Sequence, residues 1–150
     1  MVCSRETFRP CPAAGVRWLD WESDSDLARA LWSSGGSAYS DEGWEALWRE
    51  ARAEGYRYCA VIEEDRIVSR AAVWRYSDEA WEAAAVYTAP PFRQKGHARS
   101  VVSFVTAHSL DAGRVATCHT SVDNPAMIRT AESVGFCRVG TINLEPADPA

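Results

Sequence analysis

The sequence lacks the features that would place it in a membrane or in an oxidising compartment. It contains no apolar run near the about 20 residues that a membrane-spanning helix needs, and residues 1–5 are followed by no hydrophobic signal core. Its five cysteines are scattered and form no Cys-x-x-Cys pair, so neither a disulfide framework nor a zinc site fits them. We therefore expect a cytoplasmic protein with reduced cysteines, no bound metal and no membrane partner.

Two common nucleotide-binding patterns are also absent. Neither the P-loop pattern GxxxxGK followed by Ser or Thr nor the dinucleotide pattern GxGxxG occurs in the chain. The net charge of −5 argues against nucleic acid as a partner. A basic island nevertheless lies at residues 93–99, and one compact phosphate group explains such an island better than a polymer does.

The remaining pattern predicts a single α/β (α+β) domain with a mixed sheet. We place this domain at residues 15–145 of the 150, between a flexible tail or partial first strand at 1–14 and a second tail at 146–150. The predicted strands are Val16 to Leu19, Arg57 to Ile62, Ile67 to Tyr76, Trp81 to Thr88, Arg114 to Thr120 and Phe136 to Leu144. About four helices flank them, and the strand, helix, strand order after residue 81 implies a parallel central pair beyond antiparallel N-terminal strands.

The most informative segment is Arg93-Gln94-Lys95-Gly96-His97-Ala98-Arg99, between a strand-like run and an amphipathic helical run from Ala98 to Leu110. Backbone N–H groups at a helix start have no partner within the helix, and the helix dipole adds positive charge there. Gly96 lacks a Cβ that would block close approach, and Arg93, Lys95 and Arg99 supply full charges. The segment therefore predicts a phosphate-binding loop, with a solvated basic turn as the alternative.

Two motifs in the expected order resemble those of the GCN5-related N-acetyltransferases (GNAT). The first is Arg-x-x-Gly-x-Ala at residues 93–98, led in by Thr88-Ala89-Pro90-Pro91-Phe92, and it is similar to the acetyl-CoA loop of that family. The second is Asn124-Pro125-Ala126 followed by Gly135-Phe136, which looks like the helix motif of the family. The resemblance covers residues 57–136, whereas the N-terminal third matches only in having two helices.

The resemblance implies acetyl-CoA as co-substrate, in a wedge between the strand ending at Thr88 and the strand ending at Thr120. The pyrophosphate would lie on the N–H groups of the basic loop, and the pantetheine would pair with the backbone of Val86, Tyr87 and Thr88. Asn124 would contact the cofactor as well, although its role as a helix N-cap is a sufficient reason for its presence.

Two residues are candidates for the base that deprotonates the acceptor. Glu82 lies eleven residues before Arg93, the position of the general base in the histone-acetylating members that the sequence resembles. Strand alternation would put Glu82 on the same face as Val86 and Thr88 if no bulge intervenes, and the alternative is a surface glutamate. His119 is the second candidate, with a hydrogen-bonded structural histidine as its alternative. The neighbouring Cys118 would point to the opposite face and is not expected to be catalytic.

The sequence also departs from the family. Many members carry a tyrosine that protonates the leaving CoA thiolate, and this chain has Ala131 at that position. Tyr87 and Ser133 are candidates for a substitute acid. The C-terminal region predicts one strand where the family usually has two, so a second copy of the chain could complete the sheet edge in a homodimer.

Five of the seven tryptophans lie in the first third of the chain. Trp44, Leu47, Trp48 and Ala51 follow a helical spacing, which favours a place in the core. The alternative is that Trp32 and its neighbours line a substrate pocket and hold an amine by cation–π attraction.

Together these observations predict an N-acetyltransferase in which a small-molecule or peptide amine attacks acetyl-CoA directly in a ternary complex. The alternative is a non-catalytic acyl-CoA-binding or regulatory domain of the same fold. Glu82 favours the enzyme, and Ala131 favours the alternative.

Overall fold

A computed structural model of the protein describes residues 1–34, 36 and 38–142. Its strands are β1 (Val2–Cys3), β2 (Val16–Trp18), β3 (Tyr56–Glu63), β4 (Arg66–Trp74), β5 (Ala80–Thr88) and β6 (Val115–Thr117). Its helices are α1 (Ser25–Ser33), α2 (Asp41–Ala53), α3 (His97–Asp111) and α4 (Pro125–Val134), with one turn of 3₁₀-helix at Pro90–Phe92. The predicted mixed α/β class with flanking helices is confirmed.

The strands form one sheet in the order β1-β6-β5-β4-β3-β2. β5 and β6 pair in parallel, and the other neighbouring strands pair antiparallel. Helix α3 makes the connection between the two parallel strands. The predicted topology, with an antiparallel N-terminal part and a parallel pair joined through a helix, is confirmed.

The sheet separates two apolar cores, because strand side chains alternate between its faces. On one face, the α3/α4 core contains five completely buried helix residues: Val101, Val102, Val105, Ala131 and Val134. On the other face, the α1/α2 core contains Ala28, Leu31, Trp44 and Trp48. The two α2 tryptophans are therefore core residues, as their spacing predicts.

Helix α4 has the start and the end that its sequence predicts. The Asn124 side chain accepts a hydrogen bond from Met127 N at 3.1 Å, and Pro125 occupies the first helical position. The helix ends at Gly135, which has a φ of 106°. A Cβ added there would overlap the carbonyl oxygen of Thr7, so the N-terminal segment packs directly on this glycine.

Two predicted strands differ from the structure. The strand predicted from Arg114 to Thr120 forms only at Val115–Thr117. Of the two alternatives for residues 1–14, a tail or a partial first strand, the structure contains the strand: Val2–Cys3 pairs with β6, and the Met1 amino group donates to Cys118 O at 2.8 Å. A strand of two residues is too short to produce a periodic pattern. The strand predicted from Phe136 to Leu144 is wrong for residues 136–142, where only a bridge between Val2 and Cys137 forms. Residues 143 and 144, and the tail predicted at 146–150, lie outside the described residues.

Candidate active-site cleft

The cleft forms where the two parallel strands separate. β5 and β6 pair from Ala80 opposite Val115 to Glu82 opposite Thr117, and beyond Glu82 the strand β5 has no partner on that side in the described chain. The parting strands leave a cleft of about 810 Å³, lined by the rest of β5, the loop before α3, the segment after β6 and one side of α4. All of the site residues predicted from the sequence line this cleft except Lys95.

A β-bulge at Ala85 changes the direction of the β5 side chains. Ala85 has a φ of 52°, and the register with β4 passes from Arg70 opposite Tyr87 to Ala72 opposite Ala84, which leaves one extra residue on β5. As a result Ala83 and Val86 both pack in the α3/α4 core. Glu82 therefore lies on the face opposite to Val86 and Thr88, and the prediction that these three share a face is wrong.

The loop before α3 is shaped to present backbone donors. Gly96 is the N-cap residue with a φ of 85°, Gln94 has a φ of 62°, and no side chain caps the helix. Ser100 N is the first group to bond back to Gly96 O, at 3.0 Å, so the N–H groups of the three preceding residues have no intrahelical acceptor. A Cβ added to Gly96 would meet no atom within 4 Å, so this side of the glycine is open. These features fit a phosphate group, and an extended cofactor chain fits the unpaired edge of β5.

The charged side chains of the loop are arranged around these donors. Arg93 Nε donates to Thr88 O at 3.0 Å, which ties the loop to the end of β5. Lys95 turns back on the Phe92 ring, with Nζ 5.0 Å from its centroid, and does not line the cleft. His97 Nε2 lies 3.4 Å from Glu63 Oε1 but makes no hydrogen bond within the described chain.

The two candidate bases form a pair. His119 Nδ1 lies 2.8 Å from Glu82 Oε2, within hydrogen-bond distance. The side chain of Glu82 is 14% exposed and that of His119 is 65% exposed. The pairing follows from the register of the two parallel strands. Glu82 lies opposite Thr117, and His119 follows Thr117 by two residues. The sequence identified both residues but not their contact.

Cys118 is not placed to act as a nucleophile. Its side chain is completely buried in the α3/α4 core, while the adjacent His119 is exposed, although both residues lie beyond the end of β6. Burial raises the pKa of the Cys118 thiol to about 11, so it is protonated at neutral pH.

The position that carries tyrosine in many GNAT members does not face the cleft here. Ala131 is completely buried in the α3/α4 core, and the cleft side of α4 is formed instead by residues such as Thr130 and Ser133. Ser133 Oγ donates to Thr130 O at 2.7 Å. Tyr87 also lines the cleft.

One charged residue near the cleft was missed by the sequence predictions. Arg70 lies in the middle of the apolar strand β4, opposite Tyr87, and its guanidinium carbon is 3.6 Å from the centroid of the Trp32 ring. The face of Trp32 is thus occupied by a cation of the protein itself. An arginine within the run Ile-Val-Ser-Arg-Ala-Ala-Val was the available sequence signal.

The described residues give two further findings. No group of three or more His, Cys, Asp or Glu side chains among them is placed to hold a metal ion. None of the helices in this part of the chain combines the length and apolarity needed to cross a bilayer.

Parting parallel strands, a glycine-capped helix start and the hydrogen-bonded Glu82–His119 pair lie together in one cleft. Residues 16–136 match the acetyltransferase (GNAT) family, and the chain belongs to that family. The family and enzyme class predicted from the sequence are thereby confirmed. No curated protein matches the chain by sequence.

Solved structures share the fold at low identity. Aminoglycoside N-acetyltransferase AAC(6')-Iy in complex with a CoA-linked bisubstrate analogue has 16% identity and a TM-score of 0.73, over 89% of this chain and 97% of that one. Glucosamine-6-phosphate N-acetyltransferase from Arabidopsis thaliana has 19% identity and a TM-score of 0.64, over 89% and 97%. An acetyltransferase from Trypanosoma brucei has 17% identity and a TM-score of 0.67, over 87% and 98%.

Proposed function

We propose that the protein transfers the acetyl group of acetyl-CoA to a primary amine by direct attack in a ternary complex. The observation that carries this proposal is the Glu82–His119 pair, which lines the same cleft as the phosphate-type loop. Acetyl-CoA supplies an activated thioester carbonyl. The chain supplies its binding site and the group that takes the proton from the amine.

The binding residues follow from the cleft. The N–H groups of His97, Ala98 and Arg99 would hold the pyrophosphate, with the N–H groups and side chains of the preceding loop around them. The unpaired backbone of Val86 to Thr88 would pair with the amides of the pantetheine and stabilise the thioester oxygen.

Proton removal is the demanding step for an amine acceptor. An ammonium with a pKa of about 10.4 costs roughly 4.6 kcal/mol to neutralise at pH 7. If His119 Nδ1–H donates to Glu82, the second ring nitrogen, Nε2, carries a lone pair and can accept the proton, while Glu82 orients and stabilises the charged ring. The high exposure of His119 lets the proton pass on to water.

This proposal predicts that Glu82 and His119 act as one unit. Glu82→Gln and His119→Asn should each lower kcat by about 10²–10⁴-fold at pH 7. The kcat of the double variant should be no lower than that of the less active single variant. CoA release measured against an amine panel gives the rates. Glu79→Gln is the matched control, because Glu79 is exposed just before β5 and does not line the cleft. Effects that multiply in the double variant would show two independent roles and contradict the pair.

The non-catalytic alternative is decided by the same assay. The burial of Ala131 leaves the usual acid position without a side chain in the cleft. A wild-type protein that binds CoA and acetylates no amine would support a binding or regulatory role. Ser133 and Tyr87 remain our candidates for a substitute acid, since both line the cleft.

The setting of the reaction is also part of the proposal. We expect a small-molecule or peptide amine as acceptor and a cytoplasmic location, where the five free cysteines stay reduced. Val139 and Ile142 are each 71% exposed and follow Cys137, which bridges to the short edge strand β1, and this exposure supports a homodimer through that edge. Sedimentation equilibrium tests the dimer, and a monomer at all concentrations would refute it.

A further inference from the structure

Arg70 is a partly buried cation with no acidic partner. Its guanidinium carbon lies 3.6 Å from the Trp32 ring centroid and 5.9 Å from those of Tyr58 and Tyr87. No carboxylate among residues 1–34, 36 and 38–142 pairs with it, and its Nε is buried without a hydrogen-bond partner. Burial lowers the pKa of Arg70 to about 10. A buried charge that lacks a partner raises the free energy of the folded protein. Binding of an anion to Arg70 would therefore be favourable.

Arg70 does not line the cleft itself, but its register partner Tyr87 does, and Arg70 lies on the same face of the sheet as Glu82. Because of the Ala85 bulge, Tyr87 packs in the α1/α2 core, on the face of the sheet that also carries Glu82. Arg70 stands opposite Tyr87 in the sheet register, and Trp74 stands opposite Glu82. Four residues of β4 separate these positions, which is about 13 Å at 3.3 Å per residue. A molecule whose amine lies at the Glu82–His119 pair and that extends about 13 Å along this face of the sheet would reach Arg70 with its other end.

The geometry around Arg70 favours a planar oxyanion. The Trp32 ring covers one face of the guanidinium, so the edge with its terminal N–H groups is what remains for a ligand. Neither terminal nitrogen donates to a described residue. Two parallel N–H groups match a carboxylate in bidentate fashion, and the surrounding rings fit an apolar body between the two polar ends.

We propose that Arg70 binds a carboxylate of the acceptor, so that the preferred substrates are amines that also carry a carboxylate about 13 Å from the amine. This inference rests on the proposed acetyl transfer. It selects long ω-amino acids and peptides of about three to four residues, whose two ends can be this far apart at about 3.3–3.6 Å per residue, over amines without an anionic group.

The test compares each carboxylate-bearing amine with its own carboxamide, for example 8-aminooctanoate, 10-aminodecanoate, a tripeptide and a tetrapeptide, with phenylalanine as an amino acid too short to reach Arg70. In the wild type we expect kcat/KM to favour the carboxylate by about 10- to 100-fold. Arg70→Gln should reduce this preference to near unity, and Arg70→Lys should lose most of it while keeping the charge. Arg57→Gln is the matched control, because Arg57 also stacks on a tryptophan, 4.2 Å from the Trp18 centroid, but Trp18 packs against the α3/α4 core, on the face of the sheet opposite to Arg70 and Trp32.

The outcomes separate this inference from the proposed function. Acetylation of amines with no preference for the carboxylate, or a preference that survives both Arg70 substitutions, would overturn the role of Arg70 and leave the transferase intact. If no amine is acetylated, the site can still be tested by ligand binding. The change in Tm of the wild type and of Arg70→Lys is then measured with each amine and with its carboxamide. A carboxylate-dependent shift in the wild type that Arg70→Lys loses supports the site, and no such shift overturns it.

Discussion

Replacing Gly96 with valine should abolish the binding of CoA while leaving the fold intact. The glycine has a φ of 85°, and a Cβ there would meet no protein atom within 4 Å. Valine at that angle is strained by roughly 1–2 kcal/mol, and its side chain would occupy the space in front of the helix N–H groups. The loss of binding therefore comes from the blocked approach and the altered loop, not from a clash in the core.

The magnitude can be worked out from ligand linkage. CoA at 100 times its Kd stabilises a protein that binds it only when folded by about 2.7 kcal/mol. For a domain of this size that corresponds to a rise in Tm of roughly 5–11 °C. We expect this rise in the wild type and none in Gly96→Val, measured by differential scanning calorimetry with and without CoA.

Gly113→Val supplies the matched control. Gly113 has a φ of 76°, a Cβ there would also meet nothing within 4 Å, and it lies beyond the other end of α3. Both variants should lose similar stability without ligand, but Gly113→Val should keep the full CoA shift. A normal shift in Gly96→Val would refute the assignment of this loop to the phosphate.

Two further predictions concern stability. Gly135→Ala should lower the free energy of unfolding in urea by more than about 2 kcal/mol, because a φ of 106° is strained for alanine and the added Cβ overlaps Thr7 O. A loss no larger than that of an alanine substitution at a glycine of positive φ without a nearby atom would contradict the packing. Asp24→Asn should destabilise by about 1–2 kcal/mol at pH 7, because the buried carboxylate accepts bonds of 2.7 and 2.8 Å from the half-exposed Arg17. The Arg17 partner lowers the pKa of Asp24, so this stability is present above the unfolded pKa of about 3.9 and is lost as the pH falls through the folded pKa. The gap between wild type and Asp24→Asn should therefore narrow as the pH falls below about 3.9, and a gap that is the same at neutral pH and in strong acid would contradict the pairing.

The parts of the fold with local signals could be predicted from the sequence. The loop at residues 93–99, the helix after it and the cap at Asn124 each depend on residues close in the chain, where periodicity and capping chemistry determine the structure. The contact of His119 with Glu82 could not be predicted, because it depends on the register of β5 and β6.

The errors have physical reasons of the same kind. The bulge at Ala85 lies in the run Ala83-Ala84-Ala85, where no side chain marks the extra residue. The spacing from Asn124 identifies position 131 as the one where many family members have a tyrosine. The burial of Ala131 depends on how α4 packs against α3, which the spacing does not determine. Arg70 was overlooked because a charge in an apolar strand acquires meaning only when the rings around it are known.

The most direct test of the central claim is acetyl transfer from carbon-13-labelled acetyl-CoA, followed by mass spectrometry of the amine panel. The account predicts a labelled amide product from at least one amine, formed with stoichiometric release of CoA and slowed about 10²–10⁴-fold by His119→Asn. CoA binding without any labelled amide, or a product whose rate does not depend on His119, would contradict it.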